Sequence, residues 1–98
     1  MSLSGSEPSS KITREYVIQN RYGIHARPAA MLVKTASKFQ SDVTVEKGTV
    51  RVSGKSIMGL MTMEASCGSK IKIMAEGVDA EQALDEIERL FENKFYEE

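Results

Sequence analysis

Four short stretches of alternating apolar and polar residues limit the fold of this chain more than any other feature. Alternation of period two is typical of a strand that buries one face, and the stretches are REYVIQ, DVTVE, TVRVS and KIKIMA. Lys47-Gly48 separates the second from the third, which predicts a hairpin with a two-residue link. The predicted buried side chains are Tyr16, Ile18, Val43, Val45, Val50, Val52, Ile71, Ile73 and Ala75.

A helix is predicted between the first two strands. Its apolar residues recur at steps of three and four, which places them on one helical face and turns Lys34 and Lys38 outward. Pro28 has no backbone N–H and is tolerated only in the first turn of a helix, so the helix begins just after His25. The predicted apolar stripe is Ala29, Leu32, Val33, Ala36 and Phe39.

Two further helices are predicted. KSIMGLMTM indicates a helix of about two turns, and Ser56 is placed as its N-cap. After the last strand, Gly77 precedes a third helix in which Asp79 and Gln82 have the spacing of a capping box. The apolar stripe predicted for the third helix is Val78, Ala83, Leu84, Ile87, Leu90 and Phe91.

The resulting order is strand, helix, strand, strand, helix, strand, helix. Because each strand buries one face, three helices can cover one side of an antiparallel sheet and leave the other side to water. We therefore expect an α+β fold, a two-layer open-faced sandwich, over residues 11–98. Residues 1–10 are rich in Ser, Gly, Glu and Pro, and we expect them to be a disordered tail or an expression remnant.

Composition argues against several classes of function. No apolar run is long enough to span a bilayer and the N-terminus does not resemble a secretory signal, so we expect a cytoplasmic location without membrane insertion. One cysteine, Cys67, and one histidine predict no internal disulfide, metal site or cofactor. A pI of about 5.9 and the lack of an aromatic and basic stripe argue against nucleic-acid binding.

The formal net charge of −1 conceals an uneven distribution of charge. Residues 1–75 carry 11 basic and 5 acidic side chains, whereas residues 76–98 carry 2 basic and 9 acidic ones. This division predicts that one face of the fold suits an acidic or a phosphate-bearing partner.

His25 stands in GIHARPAA, at the predicted start of the first helix. One interpretation is that it only fills the turn into the helix. The other is chemical, because a helix N-terminus presents unpaired N–H groups and a partial positive charge that stabilise an arriving phosphoryl group. The same charge disfavours imidazolium, and a neutral ring keeps a free nitrogen that can act as a nucleophile.

Arg27 is either a solvated arginine of the first turn or a second member of this site. In the second case its guanidinium donates to phosphate oxygens and neutralises charge in the transition state. The chain contains neither a phosphate-binding loop for a nucleotide nor a carboxylate cluster for magnesium, so the phosphoryl donor is expected to be another protein. We expect a carrier of phosphoryl groups and not an enzyme with its own substrate.

NRYGIHARPAAMLVKTASKF, taken together with GKSIMGLMTM, resembles the HPr family, the histidine-containing phosphocarriers of the bacterial phosphoenolpyruvate-dependent sugar phosphotransferase system. The similarity runs from about Lys11 to Phe95. It implies a sheet of order 1-4-2-3, a monomer, phosphorylation of His25 on Nδ1 by Enzyme I, and transfer to sugar-specific IIA domains. By the same resemblance Arg27 assists the transfer, and the residues that shape the site are Gly23, Ala26 and Pro28.

The resemblance also implies a regulatory site and a docking surface. Ser56 matches the serine that HPr kinase/phosphorylase phosphorylates, although its position alone indicates a helix cap. In the alternative function the domain is mainly a regulatory module of carbon catabolite control or of a nitrogen-regulating branch, acting through phospho-Ser56 or phospho-His25 on partners such as a catabolite-control transcription factor. Three apolar residues of the second helix either complete the core or form a docking patch beside His25, ringed by Arg27 and two lysines. The patch residues are Ile57, Met58 and Met61, and the lysines are Lys34 and Lys55.

Overall fold

The computed structural model describes residues 10–97, and in them the predicted order of elements is confirmed. None of the helices within that range is long and apolar enough to cross a membrane. The elements are β1 (Ser10–Val17), α1 (Ala26–Ala36), β2 (Asp42–Lys47), β3 (Val50–Ser53), α2 (Ile57–Thr62), β4 (Lys70–Gly77) and α3 (Ala80–Glu92), followed by a 3-10 turn (Lys94–Tyr96).

The four strands form one antiparallel sheet in the order β1-β4-β2-β3, as predicted. Ile73 of β4 lies in the middle, paired with Arg14 of β1 on one side and with Val45 of β2 on the other. The three helices supply the other layer, and the core lies between them and the alternating apolar side chains of the sheet. β1 begins at Ser10, which pairs with Gly77 and so belongs to the domain, while the rest of the predicted tail lies outside the described residues.

The hairpin link was predicted one residue too early. Lys47 pairs with Val50, so the turn consists of Gly48 and Thr49. Val50 is 43% exposed and not buried as predicted. The reason is coverage by α2, because a Cβ built on Gly59 would lie 3.1 Å from Val52 Cβ. β3 is therefore covered at Val52, which is half-buried, and not at its first residue.

The start of α3 also differs from the prediction. Asp79 is the N-cap residue, but its side chain does not cap the helix, so the predicted capping box with Gln82 is wrong. The carboxylate instead accepts hydrogen bonds from the backbone N–H groups of Gln40 and Ser41 and from the Ser41 hydroxyl. These bonds, the hydroxyl first, lower the pKa of Asp79. Val78, predicted in the buried stripe, precedes the helix and is 81% exposed.

α1 ends at Ala36, three residues before the predicted end, and its chain continues through turns that leave Phe39 half-buried. Val33 is also only half-buried, whereas the other predicted stripe residues of α1 are buried. α1 packs against α2, and two hydrogen bonds fix their relative direction. The N–H of Ile24, before α1, donates to Ala65 O, after α2 (2.9 Å), while the amine of Lys55, before α2, donates to the carbonyl of Phe39, after α1 (3.0 Å). The two helices therefore run antiparallel.

Candidate phosphoryl-transfer site

The turn between β1 and α1 places His25 at the start of the helix. The N–H of Gly23 donates to the carbonyl of Asn20 (3.1 Å), and Gly23 has φ of 69°, a conformation that favours glycine. His25 is the N-cap residue, with extended backbone (φ −89°, ψ −166°), and its carbonyl accepts the first helical bond from Ala29 N–H (3.0 Å). The backbone thus fixes the position of the histidine, and its side chain is not used to cap the helix.

The N-terminus of α1 offers donors to an anion. The His25 side chain makes no capping bond to it, and the first turn holds no acidic residue. Pro28 has no N–H, so the amides of Ala26 and Arg27 are the first-turn donors without a helical acceptor. Backbone donors and the helix dipole together favour a phosphoryl group at this position.

The imidazole of His25 is held through one of its nitrogens. Nε2 lies 2.9 Å from Oε2 of Glu97, and 40% of the histidine side chain is exposed. Tyr22 presents its ring nearly perpendicular to the imidazole, with centroids 6.3 Å apart. A carboxylate oxygen can accept a hydrogen bond from Nε2–H, so this contact fits the ring tautomer that is protonated on Nε2.

Glu97 reaches the histidine because the chain reverses after α3. Lys94, Phe95 and Tyr96 have φ of 52°, 53° and 58°, so three consecutive residues other than glycine adopt the left-handed conformation. Phe95 anchors this turn, because its side chain is fully buried and its ring packs edge-on against Phe91, with centroids 4.9 Å apart. The turn directs the C-terminal segment back toward the N-terminus of α1.

Asn20 holds the other carboxylate oxygen of Glu97. Its Nδ2 donates to Glu97 Oε1 (3.2 Å) and to the carbonyl of Gly23 (2.6 Å), and the residue is 1% exposed. One buried amide therefore links the turn that carries His25 to the carboxylate that contacts the ring.

An open groove of about 440 Å³ lies beside this constellation. The guanidinium carbon of Arg21 lies 5.5 Å from the Tyr22 ring centroid, within the range of a cation–π contact. Arg21 and Arg27 both line this groove, and their positive charges favour phosphate or carboxylate groups as its occupants. Within residues 10–97 no group of His, Cys, Asp and Glu could hold a metal ion. The groove is lined by Arg21, Tyr22, Arg27, Tyr96 and Glu97.

The structure therefore brings together His25, Arg27 and the residues predicted to shape their site. Gly23 is close to backbone, since a Cβ built on it would lie 2.2 Å from Ala65 O. Pro28 is buried in the first turn, where it was predicted, and Ala26 is exposed beside it. The sequence interpretation did not include Asn20, Arg21, Tyr22, Tyr96 and Glu97.

The predicted docking residues lie on α2, just before α2 and on α1, and none of them lines the groove. Ile57, Met58 and Met61, which we call the α2 patch, are all exposed, with Met58 at 74%, while Leu60 and Met63 on the opposite side of the helix are buried. The interpretation that the three complete the core is therefore wrong.

The remaining predicted residues lie at the start of α2 and on α1. Ser56 caps α2, its Oγ accepting from Gly59 N–H (3.0 Å). Lys34 is exposed on α1. Lys55 is exposed as well, and its bond to Phe39 places its amine at the C-terminal end of α1, away from His25.

Comparison with known proteins identifies the family. The family model described as "PTS HPr component phosphorylation site" matches residues 12–93. This chain belongs to the HPr family. It is 53% identical over 81 residues to the phosphocarrier protein HPr of Treponema pallidum (strain Nichols), an alignment that covers 83% of this chain and 92% of the relative.

Two other comparisons agree with this membership. The phosphocarrier protein HPr of Xylella fastidiosa (strain 9a5c) is 41% identical over 87 residues, covering 89% of this chain and 98% of that protein. The crystal structure of HPr-C-His from Thermoanaerobacter tengcongensis has a TM-score of 0.81 at 48% identity, covering 91% of this chain and 98% of that one. The HPr fold thus extends over almost all of the described residues.

Proposed function

We propose that this chain is a phosphocarrier of the sugar phosphotransferase system, which accepts a phosphoryl group from phosphorylated Enzyme I on Nδ1 of His25 and passes it to IIA domains of sugar permeases. The observation that supports this most directly is the half-exposed imidazole at the N-terminus of α1. Among the described residues only Nε2 of the ring has a hydrogen-bond partner, so Nδ1 is the nitrogen available to attack phosphorus.

The surroundings of His25 supply the charge that the transfer needs. The amides of Ala26 and Arg27 and the dipole of α1 stabilise the negative phosphoryl oxygens. Arg27 is exposed at the groove, from which its guanidinium can reach an arriving phosphoryl group and neutralise charge in the transition state. These donors act equally in both directions, as a carrier that is loaded and unloaded requires.

We assign recognition of the partner proteins to the α2 patch and to Lys34 and Lys55, all of which are exposed. Methionine is flexible and polarisable, so exposed Met58 and Met61 can adapt to more than one partner surface. Lys34 on α1 adds positive charge, which suits an acidic partner. The amine of Lys55 lies at the C-terminal end of α1, so the assigned docking surface reaches that end of α1.

We further propose that Ser56 is a regulatory phosphorylation site, the target of an HPr kinase/phosphorylase. Its hydroxyl is half-buried at the start of α2 and would have to leave its bond to Gly59 N–H to be phosphorylated. A phosphate placed there adds negative charge next to the α2 patch. This charge would weaken docking of an acidic partner and favour one that presents arginines, such as a catabolite-control transcription factor.

The carrier function is tested by incubation with Enzyme I and phosphoenolpyruvate. We expect one phosphoryl group per chain, acid-labile and base-stable, as detected by intact-protein mass spectrometry. His25→Ala should abolish the label while the far-UV circular dichroism spectrum stays unchanged, because the side chain is half-exposed and makes no capping bond. Labelling that persists in His25→Ala, or its absence in the unmodified protein, contradicts the proposal.

A further inference from the structure

We infer that Glu97 is a positioning residue for His25, which holds the ring proton on Nε2 and so leaves the lone pair on Nδ1. The inference rests on the proposed function in one respect, since the transfer at Nδ1 is the step that it serves. Glu97 itself does not touch the phosphoryl group in this scheme. It acts through the imidazole alone.

Geometry supports a fixed carboxylate at this position. Both oxygens of Glu97 have partners, Oε2 on His25 Nε2 (2.9 Å) and Oε1 on Asn20 Nδ2 (3.2 Å). The glutamate side chain is only 13% exposed, three times less than the histidine. A carboxylate held from both sides and shielded from water sets the orientation and the tautomer of the ring, as partners of functional histidines do elsewhere.

The backbone that carries Glu97 supports the same inference. Three successive left-handed residues, Lys94, Phe95 and Tyr96, are a costly arrangement for side chains with a Cβ. Such conformations persist where the surroundings determine them, and they cluster at functional sites. Burial of Phe95 holds the reversal in place, and the reversal is what brings Glu97 to the ring.

The chemical step follows from this tautomer. The lone pair of Nδ1 forms the new N–P bond, while the bond between phosphorus and the donor atom breaks and its electron pair stays on the donor. The imidazole gains positive charge as the N–P bond forms, and the Nε2–H group remains hydrogen-bonded to the carboxylate of Glu97. Because that charge is greater in the transition state than in the resting ring, the ion pair strengthens during transfer.

Glu97→Gln, which keeps size but removes charge, and Glu97→Ala are the test variants, with Glu92→Gln as the control. Glu92 is exposed at the end of α3, so this control makes the same charge change away from the ring. As His25 is the only histidine, a long-range ¹H–¹⁵N spectrum of the neutral form reports its tautomer without interference. We expect a single Nε2–H tautomer in the unmodified protein and in Glu92→Gln, and a mixture in both Glu97 variants.

Transfer kinetics with Enzyme I give the second readout. We expect kcat to fall about tenfold in the Glu97 variants with KM little changed, the lower end of what loss of a histidine-orienting partner costs, because His25 is half-exposed. An unchanged tautomer, or an unchanged kcat beside a changed tautomer, overturns the inference. If the unmodified protein is not phosphorylated, the proposed function fails instead, and the tautomer measurement still decides whether Glu97 positions the ring.

Discussion

Replacement of Gly23 by alanine tests how closely the turn before His25 is packed. A Cβ at this position would lie 2.2 Å from the carbonyl oxygen of Ala65 and 2.8 Å from Cα of Ser66. Ala65 O is also the acceptor for Ile24 N–H, so the clash falls on the atom that ties α1 to the end of α2. Backbone atoms cannot rotate away as a side chain would, and the turn itself must move.

Three contributions add up in Gly23→Ala. The left-handed conformation costs alanine about 1–2 kcal/mol. Loss of the Ile24 hydrogen bond costs about 0.5–1.5 kcal/mol, and displacement of packed backbone about 1–3 kcal/mol. We expect the free energy of unfolding to fall by about 2.5–6.5 kcal/mol, a large part of the roughly 5–15 kcal/mol typical of a domain.

Gly48→Ala is the matched control. Gly48 has φ of 60°, close to that of Gly23, but a Cβ there would meet no atom within 4 Å. Its loss should be limited to the conformational cost of about 1–2 kcal/mol. Urea unfolding followed by circular dichroism measures both variants, and the difference isolates the contact with Ala65. Equal losses in the two variants would refute the reasoning, because the space around Gly23 would then not matter.

Three other predictions concern the site and its surroundings. Arg27→Ala should slow transfer by about 2–4 kcal/mol in barrier height, with partial recovery in Arg27→Lys; unchanged single-turnover rates would place the guanidinium outside the reaction. Ser56→Asp should raise the KM for this protein in the Enzyme I reaction at low salt and leave the melting temperature level, since Asp caps helices as well as Ser; a large drop in melting temperature would contradict this. The lowered pKa of Asp79 means that its ionised form is stabilised by folding, so its contribution is present above its ordinary value of 3.8 and is lost as the pH falls. Melting temperature should therefore decline less steeply between about pH 5 and pH 3 in Asp79→Asn than in the unmodified protein, and equal slopes would count against it.

The elements that could be predicted are those whose signal is local. Alternation along β4 placed Ile71, Ile73 and Ala75 in the core, because the period of a strand is independent of what the strand pairs with. Pro28 fixed the start of α1 for a similar reason, since its constraint operates within one turn. Ser56 capped α2 as predicted, because the acceptor and donor are three residues apart.

The errors arise where a distant part of the chain decides the outcome. Aspartate is a residue type that often caps helices, but the carboxylate of Asp79 instead accepts three hydrogen bonds from a distant loop. The donors are the N–H groups of Gln40 and Ser41 and the Ser41 hydroxyl. Glu97 had no local signal at all, because its partner His25 is 72 residues away and the reversal that joins them runs through left-handed residues other than glycine. Such a reversal depends on the burial of Phe95, which only the folded core provides.

The uneven distribution of charge along the sequence serves partly to form ion pairs within the domain, and not only to attract partners. Three acidic residues of α3 form ion pairs within the domain. Arg14 contacts Asp85 (3.0 Å) and Glu88 (2.9 Å), and Lys38 contacts Glu86 (3.2 Å). The hydrogen bond that Arg14 donates to Asp85 is the main reason that the pKa of Arg14 is raised. The excess of basic residues before residue 76 is thus partly neutralised within the domain. Arg21 and Arg27, at the groove beside His25, are where we expect positive charge to act on partners.

The antiparallel arrangement of α1 and α2 limits how Ser56 can influence His25. Ser56 precedes α2, whereas Ala65, beyond the other end of α2, contacts the residue before His25. The six residues of α2 span about 9 Å, and they lie between Ser56 and the segment that contacts the turn before His25. Exposed charges are screened over about 8–10 Å at physiological ionic strength. A phosphate on Ser56 should therefore change the chemistry of the imidazole little and act through a partner that covers both the α2 patch and the groove. Inhibition that appears in KM supports this coupling through docking, and inhibition confined to kcat would require a direct path between the two sites.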